Sequence, residues 1–171
     1  MTVTNIRKDP RSRTMTLEAE FDASPERVWQ LWSDPRQLER WWGPPAYPAT
    51  VDTHDLLPGG QVRFHMTGAE GDQPRGYWNV DVVQPPNRLV FRDCCANDDG
   101  TPNTELPITT VQVTIQDIGG KTRMSVVIEF PTVEAMEQRG AMGMEEGLTQ
   151  AVGQIDAILA EDPAKVDRAR R

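Results

Sequence analysis

Apolar and polar residues alternate strictly over residues 14–22, where Met15, Leu17, Ala19 and Phe21 are separated by Thr16, Glu18 and Glu20. A period of two belongs to a strand with one buried face. The period then changes. Val28, Trp29, Leu31 and Trp32 fall at helical spacing behind Ser24-Pro25-Glu26-Arg27. Ser24 suits an N-cap and Pro25 the first helical position, while Arg27 stands where a capping box would carry glutamate. Asp34-Pro35 repeats the start signal. Leu38, Trp41 and Trp42 then give the face of a second short helix, ended by Gly43-Pro44-Pro45.

A strand-rich stretch follows. Residues 50–56 form the first candidate, stopped by Pro58-Gly59-Gly60. In residues 61–67, Val62, Phe64 and Met66 alternate with Arg63, His65 and Thr67. Trp78, Val80 and Val82 mark one face of residues 76–83, and Pro85-Pro86-Asn87 turns the chain into residues 88–95. Residues 68–74 and 96–104 are polar and read as loops. Residues 108–118 and 122–130 flank Gly119-Gly120, a strong signal for a two-residue hairpin turn. Turns this regular predict a meander of hairpins.

The last pattern is helical. Val133, Met136, Gly140, Met144, Leu148, Ala151, Val152, Ile155, Ile158 and Leu159 recur at spacings of three and four, out to about residue 160, with Pro163 beyond. Gly140, Gly143, Gly147 and Gly153 are unusual there, since each costs up to about 1 kcal/mol against alanine. Close packing on a sheet would explain some of them, and a break near residues 140–143 is the alternative. The chain thus reads as α+β: a curved antiparallel sheet of six to seven strands, two short helices after the first strand, and a long C-terminal helix on the apolar face. The expected organisation is an extended or disordered leader over residues 1–13, one domain over 14–160, and a polar tail over 161–171.

The 171 residues suffice for one core. Lys and Arg number 18 against 26 Asp and Glu, a net charge of −8 that works against nucleic acid and anionic membrane surfaces. The basic stretch 165–171 reads as a solvated terminus. No apolar run approaches the roughly 20 residues of a membrane span, and residues 1–13 lack the apolar centre of a signal peptide, so a cytoplasmic location is expected. Adjacent Cys94 and Cys95 read as the end of a strand, one facing in and one out. No metal and no cofactor is expected.

Several segments in order carry a resemblance: FDASPERVWQLWSDPRQLERWWGPP, LLPGGQVRFHM, GYWNVDVVQPPNRLVF, TTVQVTIQDIGGKTRMSV and GMEEGLTQAVGQIDAIL. Over residues 14–159 the chain resembles the homologues of the activator of heat-shock protein 90 ATPase, within the START-type helix-grip superfamily (SRPBCC). The resemblance implies that fold. It spans lipid carriers, hormone receptors, polyketide cyclases and co-chaperone modules, so fold alone does not decide activity. The eukaryotic co-chaperone carries a separate N-terminal domain, for which this chain offers a short polar leader.

Catalytic motifs are absent: the sequence holds no H-E-x-x-H helix, nucleophile elbow, phosphate loop or metal-spaced cysteines. Three readings compete. The leading one is a carrier of a small hydrophobic molecule in a cavity between sheet and helix. Its lining would include Trp32, Trp41, Phe64, Met66, Trp78, Val80, Phe91, Met144 and Leu148, with Met136 as a further adaptable wall. Arg63 and His65 would add polar ligand contacts if they turned inward, although their alternation with Val62, Phe64 and Met66 favours a solvated polar face. A cyclase- or hydrolase-type enzyme would need Arg63, His65 and Asp81 to converge in the same cavity. A co-chaperone-like or homodimeric interaction module would show an exposed apolar patch at Trp41-Trp42.

Overall fold

The computed structural model describes residues 3–161. The basic stretch 165–171 and all of the expected tail beyond residue 161 lie outside the described residues. The elements run β1 (Val3–Asp9), β2 (Thr14–Phe21), α1 (Pro25–Ser33), α2 (Pro35–Leu38), β3 (Ala49–His54), β4 (Gln61–Met66), β5 (Arg75–Gln84), β6 (Arg88–Ala96), β7 (Thr109–Asp117), β8 (Thr122–Glu129), α3 (Val133–Ala141), α4 (Met144–Gly153) and α5 (Ile155–Ala160). All eight strands join one antiparallel sheet in the order β1-β2-β8-β7-β6-β5-β4-β3. The chain adopts the helix-grip fold.

The sheet has one strand more than the periodicity indicated, because the leader contributes β1. This strand is mostly polar and exposed, so it has no alternating pattern to betray it. It adds to the free edge of β2 by backbone pairing, with Arg7 bonded to Glu18 at 2.7 Å. Register irregularities in β3 and β5, at Val51/Thr53 and Val80/Val82, supply the local extra twist that curves a sheet. Gly119 and Gly120, at φ 86° and 96°, make the tight β7–β8 turn.

Ser24 caps α1 by accepting from the Arg27 amide at 3.2 Å, with Pro25 at the first turn. Asp34 ends α1 and caps α2 by accepting from the Arg36 amide at 2.9 Å. Only four residues of the second helix form, and the chain then turns. These helices bury Val28, Trp29, Leu31, Trp32 and Leu38 against the concave face. Two indoles anchor them: Trp32 Nε1 donates to Met124 Sδ at 3.4 Å, and Trp41 Nε1 to the Leu31 carbonyl at 2.9 Å.

The C-terminal helix is broken, as the alternative reading had it. Gly143 lies at φ 80°, the left-handed conformation that stops α3 and resets the axis for α4. A second break falls at Gln154, whose side-chain amide donates to the Gly43 carbonyl at 2.7 Å and ties the helix to the α2–β3 loop. Close packing on the sheet does not explain the glycines. A Cβ placed on Gly140, Gly147 or Gly153 would meet nothing within 4 Å. No helix among the described residues is long and apolar enough to cross a membrane.

Candidate functional site

The concave face is set by strand register. Successive cross-strand partners form rows across it, one of them Phe91, Val111, Ile128 and Met15. Over the β4–β6 part lies a cluster of rings. Trp78 stacks on Phe91 with centroids 3.9 Å apart, and Trp32 meets Trp41 edge-on at 4.7 Å. Trp42 stands edge-on to Trp78 at 4.9 Å and to Phe64 at 6.0 Å. Trp32, Trp41, Trp78, Val80 and Phe91 are fully buried by one another and by the sheet, and Phe64 nearly so. Trp41 presents no exposed apolar patch.

Space remains where α3 and α4 pass over the sheet. One crevice of about 190 Å³ is lined by Trp42, Pro44, Met66, Ile128, Met144, Gly147 and Leu148. A second, of about 330 Å³, opens between α3 and the start of β2, and Met15, Phe130, Met136, Gly140 and Met144 form its apolar wall. Lys8 and Glu145 pair at 2.5 Å on its rim. Met144 lines both. Of the residues expected to line a cavity, Met66, Met144 and Leu148 border open space, Met136 borders the second crevice, and the aromatic members form the packed floor beside them. Trp42, not Trp41, is the tryptophan on the crevice wall.

Polar groups gather at the adjoining end of the concave face. Trp78, Asp93 and Thr109 are successive register partners on β5, β6 and β7, so neighbouring Cβ atoms stand about 5 Å apart. Thr109 is the next inward position after Val111. Arg139 descends from α3 and donates from Nη1 to Cys95 Sγ at 3.6 Å. Among the described residues, neither a hydrogen bond nor an ion pair holds the Asp93 carboxyl, and Arg139 acts on it only through its charge. Asp93 is half-buried among its strand partners Trp78 and Thr109. Burial raises its pKa from 3.8 to about 6, with the Arg139 charge opposing the rise. Four buried polar atoms close by lack a partner: Trp42 Nε1, Trp78 Nε1, Thr109 Oγ1 and Arg139 Nε.

Sequence reasoning passed over this group, although one signal was present. Leu89, Phe91, Asp93 and Cys95 share a face of β6 by period two, which sets a carboxylate among core residues. The Arg139 contribution has no sequence signal, because its approach depends on where α3 crosses the sheet.

The polar set that an enzymatic reading would need does not converge. Arg63, His65 and Asp81 all lie on the convex face. Arg63 bonds the Gly100 carbonyl at 3.3 Å and covers the Tyr77 ring at 5.0 Å. His65 pairs with Asp52 at 2.9 Å, and Asp81 with Arg92 at 3.2 Å. Cys94 also faces this side, beside Tyr77, and burial raises the pKa of its thiol. Both cysteines are free. No cluster of three or more His, Cys, Asp or Glu among the described residues could hold a metal ion.

A helix-grip sheet with an apolar crevice beneath its last helices defines a fold that in general binds ligands. Residues 22–160 match the family model described as Activator of Hsp90 ATPase homolog 1-like protein, and the chain belongs to that family. It is similar to the crystal structure of protein Ms6760 from Mycobacterium smegmatis, at 44% identity and a TM-score of 0.86, over 92% of this chain and 96% of that one. It is also similar to the solution structure of a protein from Arthrobacter aurescens, at 42% identity and a TM-score of 0.91, over 95% and 94%. The AHSA1 protein from Silicibacter pomeroyi aligns at 27% identity and a TM-score of 0.69, over 86% and 97%. A comparison with curated proteins finds no match.

Proposed function

We propose that the protein binds and carries a small, largely apolar molecule between α4 and the concave face, in the crevice walled by Trp42, Met66, Met144 and Leu148. One observation carries the reading. Gly147 is half-buried on the wall of this crevice, and a side chain there would meet no atom within 4 Å. Glycine inside a helix costs up to about 1 kcal/mol against alanine, a cost that packing does not require at this position. Room for a guest is what such a cost preserves.

Size sharpens the proposal. This crevice, at about 190 Å³, is smaller than the usual 300–1,000 Å³ ligand site. The second crevice joins it if Met144 swings aside, and an unbranched thioether side chain moves readily. The guest is therefore a molecule of one or two rings, or a longer one that displaces Met144. A cytoplasmic carrier is in keeping with the acidic composition. Of the large exposed apolar side chains, Leu57 and Ile108 lie in different loops and Val133 and Met142 at opposite ends of α3, which gives little support to the co-chaperone or homodimer alternative.

Native mass spectrometry of the freshly purified chain, followed by organic extraction, tests the reading. One apolar compound per chain is expected. A bare chain that takes up neither a fatty acid nor a polycyclic aromatic would overturn it.

A further inference from the structure

We propose that Asp93, Thr109 and Arg139, with the indole N–H groups of Trp42 and Trp78, form a polar subsite that receives the hydroxyl head of an otherwise apolar guest, a phenol or an alcohol. The proposal rests on the crevice reading above and adds the chemistry of the guest's polar end.

Geometry places these groups together. Trp78, Asp93 and Thr109 are neighbours in one cross-strand row, and Arg139 reaches the same end of the face through Cys95. Trp42 connects the row to the crevice, because its ring lines the crevice and also meets Trp78. Buried polar atoms in folded proteins are nearly always satisfied, so a run of four unpartnered ones beside an unbonded carboxyl calls for a further partner.

The inventory of those groups selects the partner. Arg139 Nε, Trp42 Nε1 and Trp78 Nε1 can only donate, the Asp93 carboxylate can only accept, and Thr109 can do either. A hydroxyl donates once and accepts twice, so it can donate to Asp93 while accepting from the guanidinium or an indole. A hydrocarbon would leave every one of these groups unsatisfied. A carboxylate guest would set a second negative charge beside Asp93, which is disfavoured where water is excluded. The aromatic floor of Trp42, Trp78 and Phe64 favours a ring next to the hydroxyl.

Three probes of matched shape test this on the full chain near neutral pH: naphthalene, 2-naphthol and 2-naphthoate, titrated calorimetrically. 2-Naphthol is expected to bind tighter than naphthalene by on the order of tenfold or more, the scale of a hydrogen bond to a charged group. It should shift the indole N–H resonances of Trp42 and Trp78 and leave those of Trp32 and Trp41, which already have partners. Asp93→Leu should bring the naphthol-to-naphthalene ratio to within about twofold while naphthalene still binds, and Thr109→Val should lower the ratio in the same direction. Equal binding of naphthol and naphthalene overturns the subsite and leaves the crevice reading standing. Tightest binding of 2-naphthoate overturns the hydroxyl assignment. Binding of none of the three overturns the crevice reading and the subsite together. If Asp93→Leu fails to fold, the Thr109→Val ratio and the wild-type indole shifts decide alone.

Discussion

Arg139 of α3 donates to the thiol of Cys95 across 3.6 Å and stops short of the Asp93 carboxyl, two residues earlier on the same face of β6. A guanidinium and a carboxylate held near each other without pairing leave both charges incompletely compensated in the interior. That state is costly, and proteins tolerate such costs chiefly at functional sites.

The cost is measurable through pH. The folded-state pKa of Asp93 is about 6 against 3.8 unfolded, so the folded protein binds this proton more tightly. The contribution of the group to stability is therefore fully present below about pH 4 and is lost as pH rises through about 6. A rise from 3.8 to about 6 corresponds to about 3 kcal/mol at most, and to less for the surface the group keeps exposed. Asp93→Asn should be more stable than the wild type at pH 7 and lose that advantage toward pH 4. Paired urea titrations at the two pH values check it, and an unchanged difference would rule out an uncompensated carboxylate.

Gly147→Ala should separate stability from binding. Alanine gains up to about 1 kcal/mol of helix propensity and meets no neighbour within 4 Å. The expected result is a higher melting temperature with weaker binding of a naphthalene probe, and Gly147→Leu should block the probe altogether. A gain in both stability and affinity would place the guest elsewhere.

Trp32 sits where the rings meet, within 6.2 Å of the centroids of Trp41, Trp42, Trp78 and Phe91. Truncation to alanine should cost about 3–5 kcal/mol by opening a cavity the cluster cannot close. Chemical denaturation measures this. A loss under about 1 kcal/mol would mean the rings repack around the gap.

The convex face supplies a control. Arg63→Ala and His65→Ala remove a cation–π contact and the His65–Asp52 hydrogen bond on the side away from the crevice. Exposed pairs of this kind contribute about 0–1 kcal/mol, so both variants should keep near-wild-type melting and unchanged probe affinity. A tenfold loss of affinity in either would bring that face into the site.

Asp34 closes α1 and caps α2 with one side chain. Asp34→Ala should therefore cost about 1 kcal/mol, the ordinary value of a lost cap, in a thermal melt. No effect would show that tertiary packing alone holds the two helices.

Much of the fold was legible because its signals are local. Period two over Met15, Leu17, Ala19 and Phe21, the caps at Ser24 and Asp34, and Gly119-Gly120 each act within a few residues, and each element formed where its signal stood. The leader's place in the sheet was not legible for the same reason. β1 is held by the edge of β2 and not by a pattern of its own.

The sequence by itself determined which residues share a face on the strands with a clear alternation, because successive side chains alternate sides, and this set Arg63 and His65 on the face opposite Phe64. It also carried the break in the last helix, since Gly143 adopts a left-handed backbone at low cost. Only the tertiary structure decided that Trp41 is sealed while Trp42 borders the crevice, that Gly147 borders it too, and that Arg139 reaches Cys95 beside Asp93. These relations join segments tens of residues apart. They depend on the register of eight strands and on the path of α3 over them, and no local pattern encodes either.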